Sequence, residues 1–139
     1  MKPVLLDTGV IVALLDRSEK HHRVCAEIVA GLEQPLITCE AVIAESCYLV
    51  RKLRGASEAI LENIAAGIFQ MPFELTREAG AVRRIFQKYR DRRISLADAC
   101  LIHLANAAGT GEILTLDGDF ETYRWGKNKA FRRMPAEYA

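Results

Sequence analysis

The chain has 139 residues, half of them hydrophobic, with 19 basic and 18 acidic side chains and a formal net charge of +1. That length supports one sizeable core and is too short for two ordinary domains, so residues 1–139 are expected to form a single domain. The apolar runs are bounded by acids within about ten residues, far short of the roughly 20 that cross a bilayer. The N-terminal MKPVLLDTG lacks the apolar region and cleavage site of a secretory signal. No membrane partner and a cytoplasmic location are the expectation.

In chain order, PVLL (3–6) reads as a short buried strand, and TGVIVALLD as a helix that starts immediately after it, with Asp7 at the joint. KHHRVCAEIVAGL places Val24, Cys25, Ile28, Val29 and Leu32 at helical spacing, and PLIT (35–38) is a second short strand. CEAVIAESCYLVRKLRG predicts a helix that stops at Gly55 and carries Glu45 in its second turn. SEAILENIAAGIF predicts a helix capped by Ser57, and QMPFEL an edge strand containing Pro72. TREAGAVRRIFQKYRDRR is a long helix, SLADACLIHLANAAG another, and EILTLDGDF closes the pattern with a β-rich run from Ile113 to Leu116 that ends in turn residues. Strands of four or five residues alternating with longer helices define an α/β fold with a short parallel sheet covered by helices.

Four cysteines (Cys25, Cys39, Cys47, Cys100) form no CxxC pair and no zinc-type spacing with His21, His22 or His103, which predicts packed, reduced thiols. His21 and His22 open a helix and are expected to be exposed, and His103 falls on a different helical face from Asp98. Basic residues concentrate in RRIFQKYRDRR (83–93) and YRWGKNKAFRRM (123–134); in the second, Tyr123 and Trp125 either stack a nucleic-acid base or pack the tail onto the domain.

In an open parallel sheet the usable site lies at the carboxyl ends of the strands. That rule selects Asp7 after the first strand, Asp117 and Asp119 after ILTL, Asp98 in RRISLAD, and Glu45. Each has a local explanation. Asp7 can cap the helix from Thr8, Ser95 and Asp98 fit a capping box, and Asp117 and Asp119 flank Gly118 in a turn. Glu45, among Val42, Ile43, Ala44, Cys47 and Leu49, reads as a carboxylate in apolar surroundings that needs a partner. If these acids converge, each pair about 4 Å apart repels by roughly 1 to 4 kcal/mol, and the arrangement calls for a cation. An all-carboxylate site suits Mg²⁺ or Mn²⁺, whose open positions take water and phosphate oxygens; the chemistry is then hydrolysis of a phosphodiester, with basic residues holding the polyanion.

LLDTGVIVALLD, VIAESCYLV, SLADACLIHLA and ILTLDGDF together resemble the four acidic motifs of PIN-domain ribonucleases, in order across nearly the whole chain, and are similar in particular to the VapC-type toxins of type II toxin–antitoxin pairs. The trailing FETYRWGKNKAFRRMP resembles the C-terminal continuation of one branch of that family. The resemblance implies a three-layer α/β/α PIN-like domain and an acidic constellation of Asp7, Glu45, Asp98 and Asp117 with Asp119 beside them. Asp7 and Asp98 would be the main Mg²⁺ ligands, Glu45 and Asp117 would act through waters, and Thr8 would be the hydroxyl that steers Asp7. It also implies single-stranded or looped RNA as substrate, a 5′-phosphate on the downstream product, a cognate antitoxin and a homodimer; the apolar helices AILENIAAGIF and AVRRIFQKY are either the surfaces for such partners or part of the core. Gly9 stands where many relatives carry a polar side chain. Three other readings compete: an RNA-processing nuclease of the same fold that is not a toxin, a non-catalytic α/β binding module, and a phosphotransferase with Asp7 as nucleophile. The last lacks the second aspartate two residues on, since Gly9 occupies that place.

Overall fold

A computed structural model describes residues 1–135. Its central sheet takes β1 (Val4–Leu6), β2 (Leu36–Ile37), β3 (Phe69–Gln70), β4 (Glu112–Leu114) and β7 (Arg132–Met134) in the order β3-β2-β1-β4-β7, every pair parallel. Successive strand residues point to opposite faces, so the complete burial of Val4, Leu5 and Leu6 shows that both faces of the sheet are covered.

The covering helices are α1 (Thr8–Leu15), α2 (His22–Gly31), α3 (Glu40–Leu49), α4 (Ala56–Ala65), α5 (Leu75–Lys88) and α6 (Leu96–Ala108). α1 packs on α2 and α3, α5 on α6, and α6 reaches both α3 and β1. The result is the three-layer parallel α/β/α arrangement expected from the alternation of short apolar runs and helical periods. Among the described residues no helix is long and apolar enough to cross a membrane.

Several boundaries differ from the sequence reading, each for a local reason. α3 ends at Leu49, not at Gly55; Gly55 sits at φ +77 in the left-handed region and instead leads into α4, which places Ser57 inside the first turn and not at the cap. β3 stops at Gln70, ahead of Pro72, because proline offers no N–H to a ladder; as expected it is an edge strand. The long basic helix stops at Lys88 and continues as a 3₁₀ turn (Arg90–Arg92) that ends at Arg93.

The segment after Phe120 supplies a strand that periodicity did not reveal. An antiparallel hairpin, β5 (Arg124–Trp125) with β6 (Lys129–Ala130), leads into β7, which pairs with β4 from Glu112 to Leu114. Arg132, Arg133 and Met134 show no alternation of apolar and polar residues, because β7 lies at the sheet edge with its arginines engaging Glu112 and Glu121. Trp125 packs over Gly111, where a Cβ would fall 1.9 Å from the indole nitrogen. Tyr123 is buried, edge-on to Tyr89 and Phe120, and Phe120 is edge-on to Phe131. Of the two readings of these aromatics, packing of the tail is the one realised.

The cysteines are free thiols; Cys25, Cys39 and Cys100 are buried and Cys47 half-buried, with Cys39 and Cys100 hydrogen-bonded to one another. The histidines are not exposed as expected. His21 and His22 are half-buried, and the His22 ring lies 2.7 Å from the Ala13 carbonyl oxygen. His103 pairs with Glu78 at 2.7 Å on α5 and sits edge-on to Phe73.

Candidate metal centre

β1 and β4 are central neighbours, and the chain leaves both at the same edge. Asp7 follows β1 directly, and its backbone N–H donates to the Leu114 carbonyl oxygen of β4 at 3.0 Å. Asp117 follows β4 by three residues. Asp98 arrives from the first turn of α6, where the Ser95 hydroxyl accepts the Asp98 N–H at 3.1 Å. These three acids each offer an oxygen within 4.8 Å of the others.

Each carboxylate is oriented by groups from other elements. Asp7 Oδ1 accepts the Thr8 N–H at 2.7 Å, which makes Asp7 a helix cap as well as a member of the cluster. Asp7 Oδ2 accepts the Thr115 hydroxyl at 2.6 Å, and the Thr115 oxygen in turn accepts the Asp117 N–H at 3.0 Å. One fully buried hydroxyl thus ties two of the three acids together. Asp98 Oδ2 accepts the Tyr123 hydroxyl at 3.2 Å. The reciprocal half of the Ser95–Asp98 capping box is therefore not made; the carboxylate that would close it turns into the cluster. Asp117 Oδ1 accepts the Asp119 N–H at 2.9 Å and caps a short 3₁₀ turn (Gly118–Glu121).

Burial and mutual repulsion shift the two deepest acids. Asp7 is raised to about 6, first by burial and further by the charges of Asp117 and Glu45, against the opposing hydrogen bonds from Thr115 and Thr8. Asp98 is raised to about 7 by burial and then by Asp7 and Asp117. Such carboxyls resist ionisation until a cation arrives, and an oxygen-only donor set of this kind fits a hard divalent ion. A cavity of about 590 Å³ opens over the cluster and is lined also by Glu45, Asp119, Arg92 and Arg93.

Three expectations change here. Glu45 is exposed, not enclosed by apolar residues: Val42 and Ile43 turn inward, while Glu45 faces the cavity from α3 without belonging to the triad. Asp119 lies outside the triad as well and pairs with Arg92 at 3.4 Å, which favours Asp117 as the residue facing the metal. The Thr8 hydroxyl, placed by the resemblance beside Asp7, is buried with no hydrogen-bond partner among the described residues; Thr115 does the steering. Gly9 lines the cavity, and a Cβ there would make only ordinary contact with Leu116. Thr115, and the support that Tyr123 gives Asp98, are what sequence reasoning missed. For Thr115 a signal existed, since it lies two residues before Asp117 on the strand that delivers it; for Tyr123 none did, because its hydroxyl reaches Asp98 only after the tail has folded back.

The architecture and the acidic triad together define a PIN-type metal site, and residues 4–126 match the PIN domain model: the chain belongs to the PIN domain family. Within that family it is 34% identical over 116 residues to Ribonuclease VapC26 of Mycobacterium tuberculosis, covering 82% of this chain and 86% of that protein. Its fold superposes on the crystal structure of VapC20 from the same organism, a toxin that cleaves the sarcin–ricin loop, with a TM-score of 0.74 at 17% identity over 84% of this chain and 91% of the other.

Two outcomes follow from the geometry. Raised carboxyls hold protons in the folded chain that the unfolded chain has already released, so stability of the metal-free protein declines as pH climbs from the ordinary value of 3.8 through about 6 to 7. Asp98→Asn removes the part of that loss due to Asp98, leaving the part due to Asp7: in EDTA its melting temperature is expected to exceed wild type at about pH 8 and to match it near pH 4. A variant less stable than wild type at the higher pH would contradict the reading. Separately, Thr115→Val keeps the side-chain shape and deletes the hydroxyl between Asp7 and Asp117. Titration calorimetry with Mn²⁺ is expected to show binding weakened by roughly 10- to 100-fold, with Thr115→Ser close to wild type.

Proposed function

We propose that this protein is a Mg²⁺-dependent endoribonuclease and the toxin of a toxin–antitoxin pair. The observation that carries the reading is the triad of buried Asp7, buried Asp98 and half-buried Asp117 in an open cavity. Asp7 and Asp98 are the principal ligands and Asp117 joins them directly, in place of the water-mediated role that the family likeness implied. Mg²⁺ suits these oxygens, and Mn²⁺ would also be accepted. Held by these carboxylates, such an ion would supply Lewis-acid stabilisation of the charge that develops on the phosphodiester.

The chain's own residues supply the rest. Glu45, at the solvent side of the cavity, is the carboxylate available to take the proton from the attacking water. The water oxygen bonds to phosphorus, the P–O3′ bond breaks, and the departing O3′ is protonated from solvent, leaving a 5′-phosphate downstream and a 3′-hydroxyl upstream. Asp119, held by Arg92, shapes the wall beside Asp117. Thr8 contributes its backbone N–H to Asp7.

The toxin assignment is supported by the likeness to VapC26 and VapC20. An antitoxin segment that covers this cavity would be basic, to match its carboxylates. For the second copy of a homodimer, AVRRIFQKY carries Phe86 among the exposed apolar residues, and with Leu75, Ala79 and Leu96 it lines a groove of about 260 Å³; AILENIAAGIF exposes Leu61 and Ile68. The location proposed is cytoplasmic, where RNA and antitoxin are both available.

Purified protein is expected to cleave RNA in Mg²⁺ or Mn²⁺ and to stop in EDTA, and Asp7→Asn is expected to be folded and inactive. Cleavage that persists in EDTA would overturn the mechanism. Expression without a partner is expected to arrest growth, whereas harmless expression of an active nuclease would indicate an RNA-processing role.

A further inference from the structure

The cavity over the triad presents a problem of charge. Its walls carry Asp7, Glu19, Glu45, Asp98, Asp117 and Asp119 against two cations, Arg92 and Arg93. A divalent ion on the triad would offset only part of that charge, and a phosphodiester chain extending through the rest of the space is repelled unless a cation on the wall is free to meet it.

Arg92 is committed to the protein. Its guanidinium pairs with Asp119, donates to the Thr122 hydroxyl and lies over the Tyr123 ring at 5.0 Å from the centroid, so it braces the support of Asp98. The second basic run is largely committed too. Arg124 donates to the carbonyls of Glu121 and Tyr123, Lys129 lies over Trp125, and Arg132 and Arg133 pair with Glu112 and Glu121.

Arg93 differs. It is exposed and lines the cavity, yet its side chain makes no hydrogen bond, ion pair or ring contact with any described residue, although six carboxylates share that space. Its backbone stands at φ 51, ψ 47, the left-handed region, which is unfavourable for a residue with a Cβ. The conformation is imposed from both sides: Tyr89, four residues before, is buried with its hydroxyl bonded to the Arg124 N–H, and Ile94 is buried immediately after. Glycine would satisfy that backbone with less strain. An arginine kept there is a cation held at the cavity wall and away from the acids.

We infer that Arg93 is the substrate-phosphate contact of this cavity, binding a backbone phosphate of single-stranded RNA adjacent to the one cleaved and setting substrate affinity, not the rate of the chemical step. The inference rests on the ribonuclease reading above. Arg93 is a binding residue that contributes no proton and no ligand to the triad.

The test uses the full chain and a short single-stranded oligoribonucleotide. In Mg²⁺, Arg93→Ala is expected to raise KM about tenfold or more with kcat within about twofold, the loss of one charge-assisted contact. In an Asp7→Asn background, fluorescence anisotropy across a salt series is expected to show the slope of log affinity against log salt reduced by about 0.7 on Arg93→Ala, the signature of one phosphate contact on a single strand. Arg93→Gly separates charge from backbone: it is expected to be at least as stable as wild type and to bind as weakly as alanine. Arg132→Gln, at the opposite end of β4 and β7, is the control and is expected to leave KM unchanged. Wild-type protein that cleaves RNA while Arg93→Ala keeps its KM and salt slope would overturn this assignment alone, as would normal binding by Arg93→Gly. A wild-type protein that neither binds nor cleaves the oligonucleotide would overturn the ribonuclease reading and this inference with it.

Discussion

Three carboxylates share a space small enough that an oxygen of each lies within 4.8 Å of the others, and two of them are buried. Like charges at such separation repel by roughly 1–4 kcal/mol per pair in protein surroundings, so nothing in the cluster holds itself together. What brings the acids together is everything else. β1 and β4 pair in register Leu5 to Ile113 and Leu6 to Leu114, which brings Asp7 and the approach to Asp117 to one edge. Asp7 precedes α1 and Asp98 lies in the first turn of α6, so each sits at the positive end of a helix dipole. The folded core carries the repulsion, and a cation held by the three acids would relieve it.

The orienting groups are hydroxyls, not charges. Thr115 and Tyr123 hold Asp7 and Asp98 without supplying a cation that would compete with a metal. Salt-bridging arginines would neutralise the acids permanently, whereas a hydroxyl fixes direction and leaves the charge available. Arg92, a guanidinium on the cavity wall, is drawn off to Asp119 and the Tyr123 ring.

The C-terminal segment takes part in this arrangement. Phe120, Tyr123 and Phe131 pack edge to face, Tyr89 from the end of α5 closes the same group, and β7 completes the sheet beside β4. Thr115 donates its backbone N–H to the Met134 carbonyl oxygen, so the residue that aligns Asp7 and Asp117 is itself anchored by the last strand. A tail that looks like a basic appendage in the sequence is thereby part of the metal site's foundation.

The strands at 4–6, 36–37 and 112–114, the helices between them, and the acids at the strand ends were legible in the sequence, because alternation of short apolar runs with helical periods and the placement of carboxylates at the joints are local properties. Glu45 was misread for the same reason. Its sequence neighbours are apolar, but in a helix adjacent residues point in different directions, and only the packing of α3 turns Val42 and Ile43 inward and Glu45 outward. β7 carries no periodic signal, since an edge strand of Arg132, Arg133 and Met134 is selected by its partner β4 and by Glu112 and Glu121 across it. The sequence alone determined the architecture and which acids could reach one edge. Tertiary structure decided that Asp117 and not Asp119 joins the cluster, that Thr115 replaces Thr8, and that Tyr123 supports Asp98. Those choices depend on contacts between residues as much as 108 positions apart, as for Thr115 and Asp7, and no local pattern encodes them.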